Sequence, residues 1–326
     1  MRGGTEWWRA LAVVAMVLAT IVAASPSASA QEFPTRRVTL VVAFAPGGPV
    51  DLTARILAQR LAQRWGLPVT VENRTGAGGN IAAAFVAKAA PDGYTILFTA
   101  TGVAINQSLT DHPGYAIGDL VPILFPSVSS TTIAVNPDSP APALTDFVAA
   151  HRAKGFTYGT AGIGSAAHLT AAYLFKAIAK VDAIHTPYQG SAQAGTALMG
   201  NFIDAISVAT TDATPLVQQG RYRGLAISSE SRSERMPAVP TLREQGFDLV
   251  THGWVVVMVP ARTPPAVAAT LNAAFNEVVQ DTEVRRRLID ADLATRRQSL
   301  AEAADFLQRE VAAWRKMVDA IGLTPR

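Results

Sequence analysis

Five short stretches of the sequence pair a glycine with another glycine or a hydroxyl residue where a helical pattern begins: Gly47-Gly48, Gly78-Gly79, Thr101-Gly102, Gly162-Ile163-Gly164-Ser165 and Gly190-Ser191. The first turn of a helix leaves its backbone N–H groups without intrahelical partners and carries the positive end of the helix dipole. Such a turn can hold an anion, and glycine lets the anion approach the backbone. A carboxylate is satisfied by two or three such donors. A phosphoryl-transfer site would need lysine, arginine or a metal as well, and the first turn, "APGGPVD" from Ala45 to Asp51, has no lysine. The chemistry that fits is the binding of an anion, such as a carboxylate, without turnover.

Other chemistries fare worse. No GxxxxGK[ST] occurs, which excludes a P-loop. Gly162-Ile-Gly164-Ser-Ala-Ala167 does fit GxGxxA, and Asp182 lies twenty residues beyond Gly162. A dinucleotide site needs that acid at the end of its strand, whereas Asp182 precedes the strand "AIHTPY". Ser165 and His168 are three apart at a helix start, and residues so spaced are neighbours. Neither Ser165 nor Ser191 stands in GxSxG, however, and no acid is placed to orient His168. Ser165 reads as a helix cap and His168 as a locally bonded side chain. The five histidines, at 112, 151, 168, 185 and 252, show no HxxxH or HExxH spacing, and cysteine is absent. His185 could face a cleft, but a structural role is the simpler reading. Neither an enzyme activity, a metal nor a cofactor is expected.

The elements that must position these turns alternate regularly. "RVTLVVAF" (37–44), "PVTVEN" (68–73) and "YTILFT" (94–99) read as strands, with helices from about Pro49 to Trp65 and Ile81 to Ala90 between them. Strand–helix alternation with short loops implies a parallel sheet, whose ligands bind beyond the carboxyl ends of the strands. "PILFPSVSSTTIAVNP" is extended and suits a crossing to a second unit. That unit repeats the pattern through "FTYGT", "AIHTPY", "FIDAISVA" and "YRGLAISS". "GWVVVMVP" (253–260) and three helical segments, the second started by Asp281 and the third spanning about 299–322, return to the first unit. The expected architecture is α/β and two-lobed, each lobe a mainly parallel sheet flanked by helices, with a two-segment hinge. Lobe one comprises residues 31–127 plus 229–326, and lobe two residues 128–228.

At the N-terminus, Arg2 and Arg9 precede an apolar run from Ala10 to Ala24, followed by Ala28-Ser29-Ala30. This is the layout of a cleaved secretory signal over residues 1–30, with the mature chain starting at Gln31 and a periplasmic destination. An uncleaved anchor is the alternative, but the run is short for a membrane span of about 20 residues. Charged residues make up 16% of the chain and apolar ones 49%, enough for a sizeable core, and the net charge of +3 is modest. No Lys/Arg run interleaves with aromatics, so nucleic-acid binding has no support.

"RVTLVVAFAPGGPVDLTARILAQRL", "VTVENRTGAGGNIAAAFVAKAAPDGYTILFT", "GTAGIGSAAHL", "HTPYQGSAQAGTALMGNFIDA" and "GWVVVMVPARTPPAVAATLNAAFNEVV" together resemble the Bug family over nearly the whole mature chain. These are periplasmic solute receptors of tripartite tricarboxylate transporters. The resemblance implies a Venus-flytrap receptor (type II) that binds a small organic carboxylate and meets the membrane subunits of such a transporter, with no cofactor and as a monomer. A sensor subunit serving a signalling partner is the alternative, and a hydrolase using Ser165 and His168 a distant third.

The resemblance also implies which residues meet the ligand. From lobe one they are Ala45, Pro46, Gly47, Gly48, Asp51, Thr99, Thr101 and Gly102. From lobe two they are Gly159, Thr160, Ala161, Gly162, Ser165, His168, Tyr188, Gly190, Ser191, Thr211 and Asp212. Two departures stand out: "INQSL" (105–109) where members often have "INPSL", and "SVATTDAT" (207–214) where Asp-Asn and a proline are usual. Val208 and Ala209 in place of polar groups suggest a less polar distal wall, favouring an aromatic or aliphatic acid over citrate.

Overall fold

The computed structural model describes residues 33–323, so the signal sequence expected over 1–30 lies outside the described residues. The chain runs β1 (Val38–Val42), α1 (Pro49–Trp65), β2 (Val69–Asn73), α2 (Asn80–Ala87), β3 (Thr95–Ala100), α3 (Gly102–Leu109) and β4 (Leu120–Ser129). It continues through β5 (Thr131–Val135), α4 (Leu144–His151), β6 (Phe156–Thr160), α5 (Ala166–Ala172), β7 (Ala183–Pro187), α6 (Ser191–Met199), β8 (Ala205–Ala209), α7 (Thr210–Gln218) and β9 (Arg223–Ile227). It ends with β10 (Gly253–Pro260), α8 (Pro265–Gln280), α9 (Thr282–Ile289) and α10 (Leu300–Ile321).

Two five-stranded sheets result, ordered β2-β1-β3-β10-β4 and β7-β6-β8-β5-β9. In the first, β1 pairs in parallel with β2 and β3, and β10 runs antiparallel between β3 and β4. In the second, β6 pairs in parallel with β7 and β8, and β5 runs antiparallel between β8 and β9. Both sheets are therefore mixed. The one reversed strand of each is the first laid down after the chain enters that lobe, inserted at the same position in the order. A strand that arrives from the other lobe enters from the opposite side, so its direction is reversed.

The crossings lie side by side. β4 ends at Ser129 and β5 begins at Thr131, while Gly253 of the returning strand pairs with Ser129. The hydroxyl of Ser228 ties them together, accepting from the Thr131 N–H (2.9 Å) and donating to the Thr251 carbonyl (2.8 Å). This is the two-segment hinge. Residues 229–250 pack with the second sheet: Met236 and Val239 cluster with Ile227, and Leu242 and Leu249 with Phe147 and Phe175. The boundary expected near residue 228 thus falls ahead of a stretch whose apolar side chains belong to the second core.

Local signals account for the helices that matter most. α1 has Pro49 in its first turn, where a missing N–H costs nothing, and stops at Gly66 in the left-handed conformation. It buries Val50, Ala54, Leu57 and Leu61. Asp281 caps α9 through the N–H groups of Glu283 and Val284, and Ser299 and Glu302 form a reciprocal capping box on α10. α10 buries Leu307, Trp314, Val318 and Ile321 in a cluster that also holds Leu169 of α5, so it supports both lobes. Among the described residues no helix is long and apolar enough to cross a membrane.

Candidate functional site

All the glycine turns stand at carboxyl ends of strands. On the first sheet, β1 leads into Ala45–Gly48 and then α1. The turn is held by Asp51, which is 3% exposed. Its carboxylate accepts from the Gly47 N–H (3.0 Å), from Arg55 Nε and Nη2 (2.8 and 2.9 Å) and from Asn73 Nδ2 (2.8 Å). Asn73 Nδ2 also donates to the Phe44 carbonyl (2.9 Å), closing the turn from the β2 side. Burial pushes the Asp51 carboxyl up, but the donors from Arg55, Asn73 and Gly47 outweigh it and hold it below the ordinary carboxylate range. Asp51 therefore holds the turn and is not itself offered to a ligand, and Gly47 has already given it its N–H. Among the described residues, nothing engages the N–H groups of Ala45 and Gly48.

β3 brings Thr99, Thr101 and Gly102 to the same edge. Thr99 is fully buried against Gly79, and its hydroxyl has no partner among the described residues. Thr101 points elsewhere: its hydroxyl accepts from the Trp254 N–H (3.1 Å), fastening the start of α3 to β10. Gly102 packs directly on the loop backbones, since a Cβ there would lie 2.7 Å from the Gly78 carbonyl oxygen and 3.3 Å from that of Gly164.

On the second sheet, β6 leads into the loop Gly159–Ser165. Ser165 caps α5 by accepting from the His168 N–H (3.1 Å) and donates to the Gly162 carbonyl (2.9 Å). The Gly164 N–H donates to His168 Nδ1 (3.3 Å), so that nitrogen carries no proton. The His168 ring stacks on His185, with centroids 4.1 Å apart and an interplanar angle of 22°. His185 Nε2 meets the Thr160 hydroxyl at 2.7 Å, and that hydroxyl also receives the Gly162 N–H (3.2 Å). Burial, with His185 alongside, brings His168 down to about 3, and burial brings His185 down to about 4. The pair is a neutral brace under the loop. The hydrogen bonds of Ser165 and His168 go to holding this loop, so the two do not form a nucleophile and base.

Tyr188, Gly190 and Ser191 follow β7. The Tyr188 N–H donates to the Thr160 carbonyl (3.0 Å), and its ring covers Gly159. Ser191, at the start of α6, donates its hydroxyl to Asp212 Oδ2 (2.5 Å). Asp212 lies in the first turn of α7, beyond the carboxyl end of β8, and Thr211 adds only a distant contact at 3.5 Å. Val208 is buried in the core beneath α6 and α7, so its apolar side chain lines no wall. Asp182 lies beside Gly155 at the start of β6, on the edge opposite Gly162, which removes the dinucleotide reading. Among the described residues no three His, Asp or Glu side chains come together as a metal site.

The two edges meet. A Cβ on Gly164 would lie 2.3 Å from Asn106 Oδ1, and one on Gly78 would lie 3.1 Å from the Ile163 carbonyl oxygen. Asn106 is buried on α3 and donates to the Gly78 carbonyl (3.2 Å) and to Asn80 Oδ1 (3.0 Å).

Residues 53–323 match the model of the family described as tripartite tricarboxylate transporter family receptor. The chain belongs to this family. BugT of Bordetella pertussis is 32% identical over 321 residues, covering 96% of this chain and 98% of its own. Among solved structures, the receptor resembles R. palustris Rpa4515 with adipate at 28% identity and a TM-score of 0.86, covering 90% of this chain and 100% of that one. MatC from Rhodopseudomonas palustris with bound malate gives 30% identity and a TM-score of 0.80, covering 88% and 100%.

For this receptor, Asn106 is the residue that reading the sequence for donors passed over. It carries no charge and sits inside "INQSL", which has no turn signal. Its place becomes visible only when α3 sets it between Gly78 and Gly164.

Proposed function

We propose that the receptor is a periplasmic solute-binding protein that captures a small organic carboxylate between its lobes and passes it to the membrane subunits of a tripartite tricarboxylate-type transporter. The observation that carries the reading is the Ala45–Gly48 turn. A buried Asp51 fixes its shape from behind, and the Ala45 and Gly48 N–H groups remain uncommitted at the positive end of α1. One ligand carboxylate docks there, with Gly102 beside it on the same edge and Ala161, Gly162, Tyr188 and Gly190 on the facing one. The adipate and malate held by two similar proteins are small organic carboxylates and support the same class here.

Thermal unfolding of the chain from Gln31 onward, against mono-, di- and tricarboxylates and amino acids, tests this. A ligand at about a hundred times its dissociation constant adds about 2.7 kcal/mol of stability. At least one acid is expected to produce that shift, and to lose it when Gly48→Pro removes one of the two N–H groups. Silence across the panel from folded protein overturns the reading.

A further inference from the structure

We propose that Asp212 sets the charge that the far end of the ligand can carry: it takes a hydrogen-bond donor, an ammonium above all, and excludes a second carboxylate. This deepens the receptor reading and rests on it.

The argument starts from place. Ser191 opens α6 and Asp212 lies in the first turn of α7, both beyond carboxyl ends of second-sheet strands, on the edge that faces the first lobe's turns. The start of α6, with Gly190 before it, would otherwise suit an anion. Asp212 already fills that role, since its carboxylate sits 2.5 Å from the Ser191 hydroxyl. An external carboxylate arriving there would meet another carboxyl group and a hydroxyl already committed.

The second step is what Asp212 lacks. A carboxylate presents about four acceptor positions. Ser191 occupies one, and the Thr211 contact at 3.5 Å is at the limit of a hydrogen bond. No lysine or arginine among the described residues pairs with it, in contrast to Asp51, which has Arg55. Burial accordingly pushes the Asp212 carboxyl up, and the two hydroxyls only partly offset it. A half-buried acceptor without a counter-cation, at the edge of a ligand site, is completed by a donor on the ligand.

Matched ligand pairs that differ only at the far end test this: 4-aminobutanoate with butanedioate, 5-aminopentanoate with pentanedioate, and 6-aminohexanoate with hexanedioate. Dissociation constants are measured by calorimetry on the mature chain, on Asp212→Asn and on Ser191→Ala. In the wild type the best amino acid is expected to bind about tenfold or more tighter than its matched diacid, the scale of a like-charge penalty. Asp212→Asn keeps the shape and removes the charge, so the ratio falls towards unity or inverts. Ser191→Ala keeps the charge and retains the preference. A wild type that binds diacids as well as or better than their partners overturns the proposal while leaving the receptor reading intact. So does an unchanged ratio in Asp212→Asn, or a preference lost in Ser191→Ala with Asp212 present. Absence of binding by every acid, simple monocarboxylates included, overturns the receptor reading itself and the proposal with it.

Discussion

Two aspartates at helix starts show how context decides what a carboxylate does. Asp51 and Asp212 each lie in the first turn of a helix that follows a strand. Asp51 is surrounded by four donor contacts and turned inward, so it acts as a clamp on the Ala45–Gly48 turn. Changing it to asparagine removes the charge and sets an amide N–H₂ against one of those donors. The expected cost is about 1–3 kcal/mol, the usual cost of leaving a buried polar group unsatisfied. The ion pair itself adds little, because Arg55 is 51% exposed and solvent screens it. Urea unfolding should therefore show Asp51→Asn clearly destabilised and Arg55→Gln much less so. Carboxylate binding should weaken in Asp51→Asn even where the protein is folded. Equal stability of Asp51→Asn and the wild type would remove the clamp from the account.

At the scale of elements, the loop between β6 and α5 owes its shape to the neutral His168–His185 stack. Both rings are held to low values, about 3 and about 4, against an ordinary 6.5. Between pH 6.5 and about 4 the unfolded chain binds protons at these positions and the folded chain does not. Stability from this source is thus fully present above pH 6.5 and is lost as pH falls through that window. The loss is about 2 kcal/mol per histidine at pH 5. In His168→Gln the stability measured between pH 6.5 and 5 should depend on pH less steeply, by up to one proton; an unchanged slope would mean the ring is charged in the folded state. How far such elements were legible varied with their signals. The strand–turn–helix units around α1 and α2, and the caps at Asp281 and Ser299, follow from local chemistry, and the structure has them. One helix bearing on the site does not read as a helix. α7 begins Thr-Thr-Asp and contains Pro215, a combination typical of turns, and tertiary packing of Ala213, Leu216 and Val217 overrides it. α3, by contrast, is announced by Thr101-Gly102 and begins there directly after β3. The reversed strands β5 and β10 are silent, because the direction of a fully buried strand leaves no mark on its composition.

For the whole molecule, the decisive contact is the one where the Gly164 backbone of one lobe meets the Asn106 side chain of the other. Gly164 sits at φ +78°, and a methyl group there would press to 2.3 Å from Asn106 Oδ1, a group fixed by its own hydrogen bonds to Gly78 and Asn80. The obstruction lies between lobes and not within either core, so Gly164→Ala should leave both lobes folded while keeping them apart. A ligand drives closure only to the extent that it binds the closed form more tightly. The variant should therefore show unchanged circular dichroism, a larger radius of gyration by small-angle scattering at saturating ligand, and weaker affinity. The double variant Gly164→Ala with Asn106→Ser separates two causes. Shortening Asn106 removes the clash but not the left-handed backbone at position 164, so recovery of compaction assigns the defect to the seam. If the double variant remains open, the left-handed loop conformation, and not the approach of the lobes, is what Gly164 protects. If Gly164→Ala itself compacts with ligand as the wild type does, closure does not pass through this contact.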